Sequence, residues 1–205
     1  MSEFFSIRFN VNSSLCRDED PDKWISQIEG KAFSYDGNTE EETLVGKASF
    51  FYVDLNSSNW YPFDLLDTRS ETAPFIEPLY GYDRDAVEFN SHVCELLNYD
   101  NMNPNLFVVD RLEVLPRYRG KGLAKEMIQE ACRLFSAKAD VVALQLCPLQ
   151  YENKEQDEWG RNMQLSKLEQ DPVKAEESLT SYYMKLGFKC SIKENIMVKL
   201  IEENI

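Results

Sequence analysis

Residues 114–124, Val114-Leu115-Pro116-Arg117-Tyr118-Arg119-Gly120-Lys121-Gly122-Leu123-Ala124, decide how this chain folds. A mostly apolar run, Leu106 to Val114, leads into them, and Leu123, Met127, Ala131 and Leu134 follow at helical spacing. The stretch therefore joins a strand to a helix. The first-turn amides of a helix lack intrahelical partners and sit at the positive end of its dipole, which suits them to an anion. Gly120 and Gly122 let the backbone approach such a ligand, and Arg117, Arg119 and Lys121 add positive side chains. A bare Gly-x-Gly is more often a plain turn with solvated basic residues. Its placement between strand and helix favours a diphosphate cradle.

Outward from the loop, strands and helices alternate. Downstream, the helix is predicted to run to about Lys138, before an apolar strand from Val141 to Cys147. A polar insertion, Gln150 to Glu177, has Trp159, Met163, Leu165 and Leu168 as its sizeable anchors. A helix at about Ser178 to Leu186 then stops at Gly187, before strands near Phe188 to Ile192 and Ile196 to Ile201. Upstream, Phe5, Ile7, Phe9 and Val11 alternate with polar residues, the pattern of a half-buried strand. Trp24, Ile25 and Ile28 predict a short helix over Lys23 to Ile28. Lys31 to Tyr35 and Thr43 to Leu55 predict a hairpin turning at Asp36-Gly37-Asn38. Pro62, Pro74 and Pro78 make Asn56 to Tyr82 irregular, and Ala86, Val93 and Leu97 predict an amphipathic helix within Asp83 to Leu97. Leu106 to Val114 is long for one strand. Its charged residues Asp110, Arg111 and Glu113 predict a bend or bulge.

A chain of 205 residues, 43% hydrophobic, can bury a full core; we read 1–205 as a single domain. With 22 basic and 36 acidic side chains its formal charge is −14, which repels phosphate backbones and excludes nucleic acid as the expected partner. That charge tilts the choice of partner towards cations. Against it, the basic cluster at 117–121 is a local reversal of the kind a polyanionic cofactor such as coenzyme A requires. Cys16, Cys94, Cys132, Cys147 and Cys190 are scattered and odd in number, so no disulfide framework or zinc site is expected and a reducing cytoplasm is. No stretch approaches the roughly 18 apolar residues of a membrane span, and no membrane association is expected.

The Arg117-x-x-Gly120-x-Gly122 run resembles the Arg/Gln-x-x-Gly-x-Gly/Ala motif of the GNAT superfamily of N-acyltransferases, and Val114 to Gly122 resembles its longer form. Leu179 to Phe188 is similar to the family's late helix ending in Tyr-x-x-x-Gly-Phe, which marks Tyr183. The resemblance covers about Leu106 to Leu200; 1–105 supplies a compatible order of elements. It implies an α/β (α+β) fold, a mixed central sheet of about six or seven strands flanked by helices, with a splayed pair of parallel strands at the cofactor cleft. Residues 106–205 would form the acyl-CoA-binding half, with the polar insertion at 150–177, and 1–105 the acceptor side. By the same resemblance the donor is acetyl-CoA and the acceptor an amine, without a metal. Its cofactor contacts would come from the backbone at Leu112 and Val114 and from Arg117, Arg119, Gly120, Lys121, Gly122, Leu123 and Ala124. Tyr183 would protonate the departing thiolate. Two departures stand out: the insertion is longer than the family's usual connection, and the asparagine often found before the tyrosine is absent.

An attacking amine must lose a proton to a carboxylate or a water held by one. Asp110 and Glu113 are the candidates, and parity along the strand cannot choose between them, because a bulge in between changes which side faces the cleft. Asp110 corresponds better to the position where similar enzymes place an acid. The lone His92 and Cys147 are left out of the chemistry. Trp24, Trp60, Tyr61, Tyr80 and Tyr82 are candidates to line an acceptor pocket, whose ligand ranges from a polyamine to a protein amine. Two rivals stand beside direct acetyl transfer: a CoA-binding regulatory module without turnover, and an acyltransferase with a different acyl donor. A homodimer is compatible with exposed strand edges.

Overall fold

The computed structural model describes residues 4–15, 17, 19–37, 41–100, 103–135, 139–152, 157–190 and 195–201, with Asp36 described by its backbone alone. Among them, strands β1 (Phe4–Asn12), β2 (Ile25–Asp36), β3 (Glu41–Val53), β4 (Leu106–Val114), β5 (Val141–Gln145), β6 (Lys189–Cys190) and β7 (Ile196–Leu200) form one seven-stranded sheet. Its order is β1-β2-β3-β4-β5-β7-β6. Every neighbouring pair is antiparallel except β4 with β5, which run parallel. The helices are α1 (Pro62–Leu66), α2 (Ile76–Tyr80), α3 (Ser91–Leu97), α4 (Leu123–Phe135), α5 (Glu158–Asn162) and α6 (Pro172–Lys185). This is the mixed sheet with flanking helices that the sequence predicts.

Alternate side chains of a strand point to opposite faces, and the two faces build two cores. On one, Phe51, Val108, Ala143 and Val198 pack with Leu65, Leu79 and Val93 of α1 to α3. On the other, Phe50, Phe107, Leu144 and Met197 pack with Met127 and Ile128 of α4, and Leu179 and Tyr183 of α6 lie against them. α4 and α6 thus share the face opposite α1 to α3. Phe107 is fully buried and stacks between Phe50 and Phe135, with ring centroids 5.4 and 5.3 Å away. Phe107→Ala is expected to lower stability by about 3–5 kcal/mol, read from urea unfolding, through lost transfer energy and an unfilled cavity; a loss below about 1 kcal/mol would contradict this packing.

Several boundaries differ from the sequence expectation. Lys23 to Ile28 is not a helix. Asp20 caps a short 3-10 turn, Pro21–Trp24, and β2 begins at Ile25. Ile25 joins one core and Ile28 the other, as residues three apart in a strand must, so the apparent helical stripe is two-sided burial. The helix expected within Asp83 to Leu97 begins at Ser91, because the side chain of Asn90 accepts from the Val93 amide at 3.0 Å and caps it there. β5 ends at Gln145 rather than Cys147. α6 begins at Pro172, inside the expected insertion, where Asp171 accepts from the amides of Val173 and Lys174. The hairpin of β2 and β3 is present, although Asn38 of its turn lies outside the described residues, as does the expected helix end at Lys138.

Candidate active site

The two parallel strands part company within β4. Pairing with β5 runs from Leu106 opposite Val141 to Val109 opposite Leu144. β4 continues to Val114 along β3, with no strand on its other side among the described residues. A bulge marks the fork: Val109 lies opposite Phe50 and Arg111 opposite Ser49, leaving Asp110 as the extra residue. The bulge also resets which face each side chain meets. Val109, Leu112 and Val114 all pack towards the α4 side, whereas Arg111 and Glu113 share the opposite face with their cross-strand partners Ser49 and Lys47. An unbulged strand would have put Glu113 on the α4 side.

The loop beyond β4 starts where the Leu115 amide donates to the Val45 carbonyl, 2.9 Å. A 3-10 turn, Pro116–Tyr118, follows, and Tyr118 is buried edge-on against Phe5. Gly120 and Gly122 have φ of 74° and 85°, a region L side chains rarely adopt, and a Cβ on either would meet no atom within 4 Å. Their backbone faces open space directly ahead of α4, whose first residues are the buried Leu123 and the half-buried Ala124. Arg117 and Lys121 are exposed and sit over the Tyr118 ring at 5.8 and 5.2 Å. Arg119, expected as a third ligand cation, turns inward. Its Nε donates to the Val114 carbonyl at 2.9 Å and its Nη2 to the Met163 carbonyl at 2.6 Å, and partial burial lowers its pKa from the usual guanidinium value. It ties the loop to the segment following β5 and already engages one of the backbone groups at Val114 assigned to the cofactor.

Glu113 is almost fully buried. A carboxylate so placed needs hydrogen bonds to offset its desolvation, and two donors supply them: Arg111 Nε to Oε1 at 2.5 Å and the Trp159 indole Nε1 to Oε2 at 2.7 Å. Arg111 also pairs through Nη1 with Glu152. Burial pulls the Arg111 pKa down, but the hydrogen bonds to Glu152 and Glu113 outweigh it, so the guanidinium is raised overall. Lys47 Nζ lies 4.4 Å over the Trp159 ring. Asp110, at the bulge, is exposed. Tyr183 is half-buried on α6, edge-on to Tyr182 and Phe188, and burial, then the neighbouring Tyr182, raises its pKa. The helices carrying the loop and Tyr183 flank one face of the sheet, and Glu113 lies on the other.

Sequence reading missed the partners of Glu113. Trp159 stood out only as an anchor of the insertion, and nothing in the sequence linked Lys47, Arg111 and Glu152 to one another. Of the aromatic residues expected around an acceptor, Trp60 and Tyr61 line a hollow of about 220 Å³ with Val87. Tyr80 is instead a core residue, stacked on Phe89 and donating to the Pro104 carbonyl at 2.8 Å. A larger concavity of about 440 Å³ lies between β1 and α4, lined by Phe5, Ile7, Met127 and Arg133. Neither hollow includes the glycine loop or Glu113. Among the described residues no cluster of His, Cys, Asp and Glu could hold a metal ion, and no helix is long and apolar enough to cross a membrane.

Residues 8–153 match the family model described as the acetyltransferase (GNAT) family. The chain belongs to that family. The match holds the GNAT fork, the glycine loop and Glu113, and ends before Trp159 and Tyr183. No curated protein matches the chain. Solved structures similar to this GNAT chain include a KacTA–DNA complex, with a TM-score of 0.44 and 9% identity over 96% of this chain and 94% of that one. Arabidopsis thaliana NAA60 in complex with acetyl-CoA has a TM-score of 0.39 and 14% identity over 84% and 73%. A third, described as an acetyltransferase, has a TM-score of 0.35 and 17% identity over 84% and 70%. Likenesses this weak carry no argument, and membership rests on the sequence match.

Proposed function

We propose that this GNAT protein uses acetyl-CoA to acetylate an amine by direct transfer. The observation that carries the proposal is the open glycine backbone at Gly120 and Gly122, set between the forked end of β4 and the start of α4. The residues fit the donor. The loop amides and the exposed Arg117 and Lys121 would hold its diphosphate, and the unpaired side of β4 at Leu112 would receive its extended arm. Acetyl-CoA supplies an activated thioester; the chain supplies position and proton handling.

Glu113 is the better-placed acceptor for the amine's proton. A carboxylate has about four lone-pair sites, and its two donors leave one on each oxygen. Asp110 at the fork is the second candidate. Tyr183 keeps its proton across the ordinary pH range, because burial raises its pKa. Beside the departing sulfur such a phenol would act as the general acid, its O–H hydrogen-bonded to the thiolate as it leaves. Tyr183→Phe is accordingly expected to lower kcat by about 10- to 100-fold with the acetyl-CoA KM unchanged; wild-type turnover in the variant would remove Tyr183 from the chemistry.

One observation favours the rival regulatory module: Arg119 and both oxygens of Glu113 are engaged within the protein. Thiol release from acetyl-CoA, followed across polyamines, amino acids, aminoglycosides and peptides, separates the two. Release with any amine supports the transferase; acetyl-CoA binding without release across the panel supports the module.

A further inference from the structure

We infer that Trp159, in the segment between β5 and α6, is a positioning residue for Glu113, an inference that rests on Glu113 being the proton acceptor proposed above. α5 is only five residues long, yet its place is fixed: Asp157 accepts from the Gly160 amide at 2.7 Å and starts it, and the Met163 carbonyl at its end accepts from Arg119 at 2.6 Å. Between these two ties the Trp159 indole reaches 2.7 Å from Glu113 Oε2. The segment is therefore attached to both halves of the site, the cofactor loop through Arg119 and the carboxylate through Trp159.

The choice of donor has a chemical consequence. Arg111 holds Oε1, but its charge is shared with Glu152, so it does not neutralise Glu113 alone. An indole N–H is a donor with no proton to gain and no acceptor lone pair. It fixes the second oxygen without competing for the proton Glu113 must receive, and without adding charge. Lys47 Nζ, 4.4 Å over the ring, further restrains the indole. Two donors converging from different elements, β4 and α5, leave the carboxylate little freedom to rotate. A general base must lie within hydrogen-bond reach of the proton it takes, and geometry comes before acidity in that requirement.

The test is a double-mutant cycle. Trp159→Phe keeps an aromatic ring beneath Lys47 and removes the N–H together with the five-membered part of the indole. It is expected to lower kcat by about 10- to 100-fold, the range for losing one hydrogen bond to a charged group, with the acetyl-CoA KM unchanged. In a Glu113→Gln background the same substitution is expected to cost little more, because the group it positions is gone. A direct readout needs no turnover. The chain has three tryptophans, and the indole N–H resonance that disappears in Trp159→Phe is expected to move in Glu113→Gln while the other two stay. Wild-type kcat in Trp159→Phe, an equal loss in both backgrounds, or an indole signal indifferent to Glu113→Gln overturns the positioning role and leaves Glu113 in place. Full turnover in Glu113→Gln alone instead removes Glu113 as the proton acceptor, and the role of Trp159 with it.

Discussion

Glu113→Gln is expected to lower kcat by about 10²- to 10⁴-fold, the usual worth of a positioned base, with the acetyl-CoA KM little changed. The substitution is nearly isosteric. Its amide oxygen can still accept from one of the two donors, and Arg111 keeps Glu152 as an ion-pair partner. The fold should therefore hold while the proton acceptor is lost. Steady-state kinetics with a saturating amine, alongside a thermal melt, reads the two effects apart. Asp110→Asn measured in parallel assigns the base: a full loss there with Glu113→Gln near wild type would move the role to the bulge residue.

The second large effect is expected at Gly120. Gly120→Glu forces an L side chain into φ of 74°, which costs about 1–2 kcal/mol, and sets a carboxylate among the amides proposed to receive a diphosphate. Because a Cβ there meets no atom within 4 Å, the substitution brings no clash with the core. Loss of a few charge-assisted hydrogen bonds, with repulsion added, predicts a fall of at least about a hundredfold in kcat/KM for acetyl-CoA. A folded variant with wild-type kcat/KM would place the diphosphate elsewhere.

The loop and its flanking elements were legible in the sequence because their signals are local. Apolar runs before and after 114–124 set the strand and helix, and glycine adopts the positive φ at 120 and 122 without steric cost. The bulge was expected too, from charged residues in an overlong strand. What could not be read is which way it turns Glu113, because that depends on the register against β3: Phe50 opposite Val109, then Ser49 opposite Arg111. The inward turn of the Arg119 side chain was not legible for a related reason. Its charge is local, but its partner, the Met163 carbonyl, comes from a segment 44 residues on. Trp159 likewise reaches Glu113 across 46 residues, and no spacing rule links such a pair. The mistaken helix at 23–28 shows periodicity failing where both faces of a strand are buried, since Ile25 and Ile28 then imitate a helical stripe.

A calorimetric titration of acetyl-CoA into the wild-type protein and into Gly120→Glu tests the glycine loop as the donor site. Saturable binding at one site per chain in the wild type, lost in a variant that still melts cooperatively, is the predicted result. No binding to the wild type, or equal binding to both, would contradict the assignment of the glycine loop as the donor site.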